Sequence, residues 1–222
     1  MKRLLLINPN SSRDTTSMMV AIARGALPAG FALAEATATR SPPMIVSQKA
    51  LAASASEVVE IGLREADNVS GIIVGAFGDP GLVELRSKVS IPVTGLCEAS
   101  MLEAAGQGRT FGVATVTPDL AETIGQRAET LGLASEYSGI RLTPGEPLVL
   151  AADLQRMERL LAVAVRECIE LDGAQAVIIG GGPLGQAAVG LARQFSIPVI
   201  EPIPASVRRL VAMIQIAGNQ PS

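Results

Sequence analysis

The chain has 222 residues, 48% of them apolar but only 2% aromatic, with 18 basic against 21 acidic side chains and a formal charge of −3. That balance leaves no basic footprint for a nucleic acid, and no run approaches the roughly 18 apolar residues of a membrane span. Histidine is absent, which removes serine–histidine–aspartate chemistry, histidine metal sites and a histidine base together.

The chain opens with a continuous apolar run over residues 3–8, as expected of a central parallel strand covered on both faces. This run follows Lys2-Arg3 and stops at Asn8-Pro9, too short for a signal peptide, so a soluble cytoplasmic protein is expected. Asn10-Ser11-Ser12 then supplies caps for a helix to about residue 24. A second strand covers residues 31–38 and ends at Ser41-Pro42-Pro43, which can neither continue a ladder nor open a helix interior. A helix over 48–66, a strand over 71–75, a helix over 80–89, a strand over 91–95 and a helix to residue 105 follow. The second half repeats the plan: strand 109–114, helix 118–131, strand 137–142, helix 151–171, strand 176–179, a helix from 184, strand 197–200 and a last helix from 204.

Two stretches 105 positions apart, Ile72-Ile73-Val74-Gly75-Ala76-Phe77-Gly78 and Val177-Ile178-Ile179-Gly180-Gly181-Gly182-Pro183, read as copies of one unit. Each is an apolar strand breaking into a small-residue loop, and each precedes a Ser-Ile-Pro-Val phrase, at residues 90–93 and 196–199. Repetition at constant offset predicts an α/β fold of two pseudo-symmetric lobes, each a mostly parallel sheet flanked by helices, with a cleft between matching loops. Residues 1–106 with about 202–222 are assigned to the first lobe and about 107–201 to the second, closely packed and countable as one domain.

The loops beyond the strands' carboxyl ends carry the candidate contacts. Asn10 and Ser11 stand where a strand becomes a helix, with amide and hydroxyl groups that suit a carbonyl or an anion; Ser11 is equally explained as a cap. In Gly75-Ala76-Phe77-Gly78-Asp79-Pro80-Gly81-Leu82, small residues let a ligand approach Ala76, Phe77 and Gly78, while Asp79 reads foremost as the cap of the helix beginning at Pro80. Thr115 and Thr117 offer hydroxyls that either bind a carbonyl or cap the next helix. The run Gly180-Gly181-Gly182-Pro183-Leu184-Gly185 lacks the Lys-Ser/Thr of a P-loop and the G-x-G-x-x-G order of a dinucleotide fold. Glu98 and Glu201 are candidate acid/base groups, with salt-bridged carboxylates the commoner alternative, and Lys49 reads as a surface residue. Cys97 and Cys168 have no metal-ligand spacing; Cys168 reads as a buried inert thiol and Cys97 as a small residue at a helix start. No metal site is expected.

At these residues the chain resembles the aspartate/glutamate racemase superfamily, most closely its hydantoin and allantoin racemase branch. The strings carrying the resemblance are Ile7-Asn8-Pro9-Asn10-Ser11-Ser12, Phe77-Gly78-Asp79-Pro80-Gly81-Leu82, Thr115 after its strand, and the glycine loop at 180–185, in the family's order over nearly the whole chain. The resemblance implies a cofactor-independent racemase or isomerase of a small cyclic ureide or amino-acid derivative, acting as a homo-oligomer on a small-molecule substrate. It also implies a pair of cysteines on opposite faces of the stereocentre, one removing the α-proton and the other returning one. Those positions here are Ala76 and Gly181, so the two-thiol mechanism does not transfer. The weak substitutes would be Asp79, Glu98 and Glu201, and the alternatives are another reaction on the scaffold (decarboxylation, hydrolysis or lyase chemistry) or a non-catalytic ligand-binding homologue. Because Gly181 lies in an unbroken glycine loop, that position is expected to demand glycine, which favours a natural branch over a single engineered change at 76.

Overall fold

A computed structural model describes residues 1–218. The first half runs β1 (Lys2–Asn8), α1 (Arg13–Ala26), β2 (Phe31–Thr37), α2 (Gln48–Glu65), β3 (Gly71–Val74), α3 (Leu82–Lys88), β4 (Val93–Gly95) and α4 (Leu96–Ala104). The second runs β5 (Phe111–Thr115), α5 (Ala121–Thr130), β6 (Tyr137–Leu142), α6 (Pro147–Ala151), α7 (Leu154–Glu170), β7 (Ala176–Ile179), α8 (Gly185–Leu191), β8 (Val199–Ile200) and α9 (Pro202–Gly218). The strands form two four-stranded sheets with matching orders, β2-β1-β3-β4 and β6-β5-β7-β8, and every pairing is parallel. The expected α/β architecture of two similar parallel sheets flanked by helices is the one observed. The final helix, α9, packs back on α1, α4, β3 and β4.

The apolar runs sort by strand alternation. Leu4, Leu6 and Ile73 of the first sheet face a core shared with Phe111, Val113, Ala176 and Ile178 of the second. Leu5, Ile7, Ile72 and Val74 point the other way, against Val58, Val59 and Ile61 of α2, and Val177 and Ile179 meet Leu161 and Val165 of α7. Each central strand is therefore buried on both faces, which is why it reads as a continuous run rather than an alternation.

Several boundaries differ from expectation for local reasons. The helix expected from Pro80 begins at Leu82, because Asp79 and Gly81 take positive φ values of 52° and 74° and Gly81 becomes its N-cap. The long helix expected from residue 151 starts at Leu154, where the Asp153 side chain accepts the Arg156 N–H at 2.9 Å; Pro147 opens the separate short helix before it. The strands after Pro92 and Pro198 shorten to three and two residues. The carbonyls of those prolines still accept from Ile72 and Val177, but proline has no N–H to extend the ladder. The final helix begins two residues earlier than expected, with Pro202 and Pro204 in its first turn, where a missing N–H costs no helical bond. Among the described residues, no helix is long and apolar enough to cross a membrane.

Candidate functional site

Loops from the carboxyl ends of β1, β3, β5 and β7 converge on one cavity. From the first half it is lined by Asn10, Met44, Ile45, Leu51, Gly75, Ala76 and Phe77; from the second by Val116, Thr117, Leu120, Ile124 and residues 180–184. Its volume is about 40 Å³. Ala76 and Gly181 both line it, one from the loop after β3 and the other from the loop after β7. The two loops touch: a Cβ at Gly182 would lie 2.9 Å from the Gly75 carbonyl oxygen, and one at Gly180 would lie 3.1 Å from the Phe77 ring. Glycine at 180 and 182 is thus what lets the halves close.

Gly181 is different, and the expectation that its position demands glycine is corrected. Its φ of 164° is extended backbone open to any residue. The three atoms nearest an added Cβ all belong to the buried Leu184 side chain, at 2.9, 3.0 and 3.7 Å, so a side chain here requires Leu184 to shift, with none of those three atoms from the backbone.

Two polar side chains line the cavity, and their hydrogen bonds fix what each can offer. Asn10 Oδ1 accepts from Asn8 Nδ2 and from the Ser12 N–H, both at 2.9 Å. Both contacts require oxygen at that atom, so the amide is oriented with Nδ2 as the other group, and its hydrogens have no partner among the described residues. Asn10 therefore presents a donor. Thr115 gives its only proton to the Gly180 carbonyl. Thr117 must then be the donor in the 3.1 Å contact between the two hydroxyls, which leaves Thr117 only lone pairs for a ligand. One wall of the cleft donates and the other accepts.

The remaining sequence candidates lie off the cavity wall. Ser11 donates its backbone N–H to the Pro42 carbonyl, and Ser12, not Ser11, caps α1 by accepting from Thr15. Gly78, with φ of 127°, turns the loop beneath the wall over Leu51, and Thr115 is fully buried behind Thr117. Lys49 is exposed on α2.

Asp79 is a cap, but not of the helix next to it in sequence. Its carboxylate accepts the N–H groups of Cys97 and Glu98, at 2.8 and 2.7 Å, and so closes the N-terminus of α4. Gly95 makes this possible, since any Cβ there would collide with the Asp79 carboxylate. Burial pushes the Asp79 carboxyl up to about 6, against the pull of Arg127 and the two amides. Glu98 is held by Arg86, Arg127 and Arg209. Burial works to raise its pKa, yet the Arg86 hydrogen bond and the surrounding guanidiniums keep it below the ordinary carboxylate range. Glu201 precedes α9 outside the cavity, its carboxyl raised chiefly by partial burial. Both thiols are buried and free. Burial, then Asp79, raises Cys97 well above the usual thiol range, and burial, then Asp172, takes Cys168 up to about 12.

No titratable side chain lines the cavity, and among the described residues no three His, Cys, Asp or Glu side chains are grouped to hold a metal ion. The arrangement can bind and orient a small neutral molecule that carries an acceptor and a donor on an otherwise apolar body. The apolar wall residues Met44, Ile45, Leu51, Leu120 and Ile124 had no sequence signal as site residues, the first two because they follow a Pro-Pro loop without periodicity.

Residues 4–210 match the family model described as Asp/Glu/Hydantoin racemase. A hydantoin racemase of Paenarthrobacter aurescens is 26% identical over 226 residues, covering 99% of this chain and 94% of the relative. One from Rhizobium meliloti is 29% identical over 210 residues, covering 94% and 87%. Among solved structures, the allantoin racemase from Klebsiella pneumoniae superposes with a TM-score of 0.92 at 24% identity, covering 98% of this chain and 89% of that one; this likeness carries the fold.

Proposed function

Because the chain belongs to the Asp/Glu/hydantoin racemase family, we propose that its cleft holds a small neutral cyclic ureide of the hydantoin type. A ring carbonyl would accept from Asn10 Nδ2 and a ring N–H would donate to Thr117 Oγ1, with the stereocentre between Ala76 and Gly181. The observation that carries this reading is the fixed donor–acceptor pair in a cavity without a charged side chain. A zwitterionic amino acid would bring two charges and find no opposite charge for either, a costly mismatch in a desolvated site.

The same observation supports a ligand-binding member of the family rather than a two-base racemase. Ala76 and Gly181 stand where the hydantoin racemase resemblance expects thiols, and neither can carry a proton. Asp79 and Glu98 are committed to capping and ion pairs behind the wall, and Glu201 lies outside it. The two thiols present are buried and driven away from thiolate.

Calorimetric titration with hydantoin, combined with proton NMR of the 5-position in D₂O, tests both halves. Saturable binding with exchange at the buffer rate is expected. Exchange above background would overturn the non-catalytic half, and no binding would overturn the ligand.

A further inference from the structure

The cavity is smaller than the ring proposed for it. Its 40 Å³ holds on the order of three waters, so part of the wall must move to admit a guest. The wall elements differ in how firmly they are held. Helix α5, which supplies Ile124 to the cavity, buries only Ile124 and Ala128 of its ten residues, whereas the neighbouring α4 buries seven of nine. It packs mainly on α4, β6 and the turn of residues 118–120 that leads into it, and neither that turn nor α5 has a side-chain cap at its N-terminus. Its outer side chains, Glu122, Gln126 and Glu129, are exposed. Few buried contacts and an uncapped end are the marks of a segment that opens well below the free energy of global unfolding.

Among the described residues, the side-chain ion pairs from α5 to the first half all run through Arg127. Its Nη2 lies 3.1 Å from Glu98 Oε2 and 3.5 Å from Asp79 Oδ2, while the buried Nε of the same guanidinium has no partner. We propose that α5 is the movable wall of the cleft and that Arg127 is the latch that keeps it shut. Release strands neither carboxylate. Glu98 keeps Arg86 and Arg209, and Asp79 keeps the N–H groups of Cys97 and Glu98. Outward movement of α5 carries Ile124, and with it Leu120 of the preceding turn, away from the rest of the cavity wall and enlarges the space. The inference rests on the ureide reading above only for the size of the guest, and adds how that site is entered.

Two measurements test it, both on the whole chain and neither using a ureide. Native hydrogen exchange of the unsubstituted protein should show the amides of α5 at least about tenfold less protected than those of α4. Equal protection would overturn the movable wall, and this readout needs no variant to fold. In a chain carrying Ala76→Cys, a chromogenic disulfide at pH 8 should label the thiol at position 76 slowly, at the rate the cleft opens. Adding Arg127→Met should speed that labelling at least about tenfold, as loss of a largely buried ion pair implies, while Cys168 in the core under α7 stays unlabelled. Removing a nearby cation makes a thiol less acidic, so the gain is not an effect on its ionisation. An unchanged rate at position 76 would overturn the latch, and so would labelling of Cys168 at the same increased rate, which marks global unfolding. Failure of either measurement leaves the ureide reading standing, and failure of hydantoin to bind leaves the movable wall standing.

Discussion

The guanidinium of Arg127 and the carboxylate of Asp79 meet 3.5 Å apart, although one belongs to α5 beside the second sheet and the other to the loop after β3 of the first. The same Arg127 Nη2 lies 3.1 Å from Glu98 Oε2. Asp79 lies two residues after the lining residues Gly75, Ala76 and Phe77, and Ile124, one helical turn before Arg127, lines the cavity from the second half. A single buried cation thus ties the two sides of the cleft together just behind its floor.

Arg127→Met should cost about 3 to 5 kcal/mol of stability at neutral pH, because it leaves buried carboxylates facing one another. The pH dependence has a definite sign. Asp79 has an ordinary pKa of 3.8 and titrates at about 6 when folded, so between those values the native state holds the extra proton. Ionising Asp79 therefore lowers native stability as pH rises through that window, by about 3 kcal/mol. Removing Arg127 raises the folded pKa further. The gap between wild type and Arg127→Met should accordingly be widest above pH 7 and shrink as pH falls below 6, when Asp79 is protonated in both. Urea unfolding at pH 5 and pH 7.5 checks this, and an unchanged gap would sink it.

Neither cysteine should behave as a reactive thiol. Cys97 and Cys168 are both fully buried and both raised in pKa chiefly by burial, so the thiolate needed for attack on a disulfide reagent is scarce. A chromogenic disulfide should report essentially no thiol in the native protein at pH 8 and both thiols in denaturant. Rapid native labelling of even one would mean that the core around α4 or α7 opens far more than its packing implies.

Asn10 and Thr117 can be tested by changes that preserve shape. Asn10→Asp keeps the oxygen that Asn8 and Ser12 address but replaces the donor facing the cavity with an acceptor. Thr117→Val keeps the branched shape and removes the lone pairs. Each should weaken hydantoin binding by roughly 1 to 3 kcal/mol, about fivefold to 150-fold, the cost of leaving a buried polar group unpaired. Full affinity in both variants would remove the donor–acceptor reading.

Much of this architecture is legible in the chain because strand, loop and helix alternate at a constant offset, and the apolar runs of β1, β3, β5 and β7 end at the loops that meet. Contacts between elements distant in sequence are not. Asp79 reads as the cap of the helix just after it, yet it serves α4, since positive φ at Asp79 and Gly81 turns the side chain away from its neighbour. Glu98 reads as a candidate base, and only the convergence of α3, α5 and α9 surrounds it with three arginines. Arg127 carries no signal of its own, being one charged residue beside the buried positions Ile124 and Ala128. The glycine run reads as uniformly glycine-demanding, whereas spacing alone cannot tell 180 and 182, where a Cβ would strike the other half, from 181, where it would meet Leu184 of the same loop.

That distinction leads to the sharpest prediction about chemistry. At Gly181 the backbone is extended and the atoms nearest a new Cβ belong to the Leu184 side chain, while Ala76 needs only its methyl hydrogen exchanged for a thiol. The double change Ala76→Cys and Gly181→Cys should therefore fold, with Leu184→Ala added where the second thiol lacks room. It would place a proton carrier on each of the two loops that line the cavity, where Asn10 and Thr117 would orient the ring. Thiols have an ordinary pKa of about 8.5 and can work near neutrality, and a positioned acid or base contributes roughly 10² to 10⁴ in rate. Deuterium exchange at the 5-position of a bound hydantoin should rise at least about a hundredfold over the unsubstituted protein, with each single cysteine giving less than the pair. A folded double variant that binds hydantoin as tightly as before but exchanges no faster would show that more than sulfur separates this cleft from a racemase.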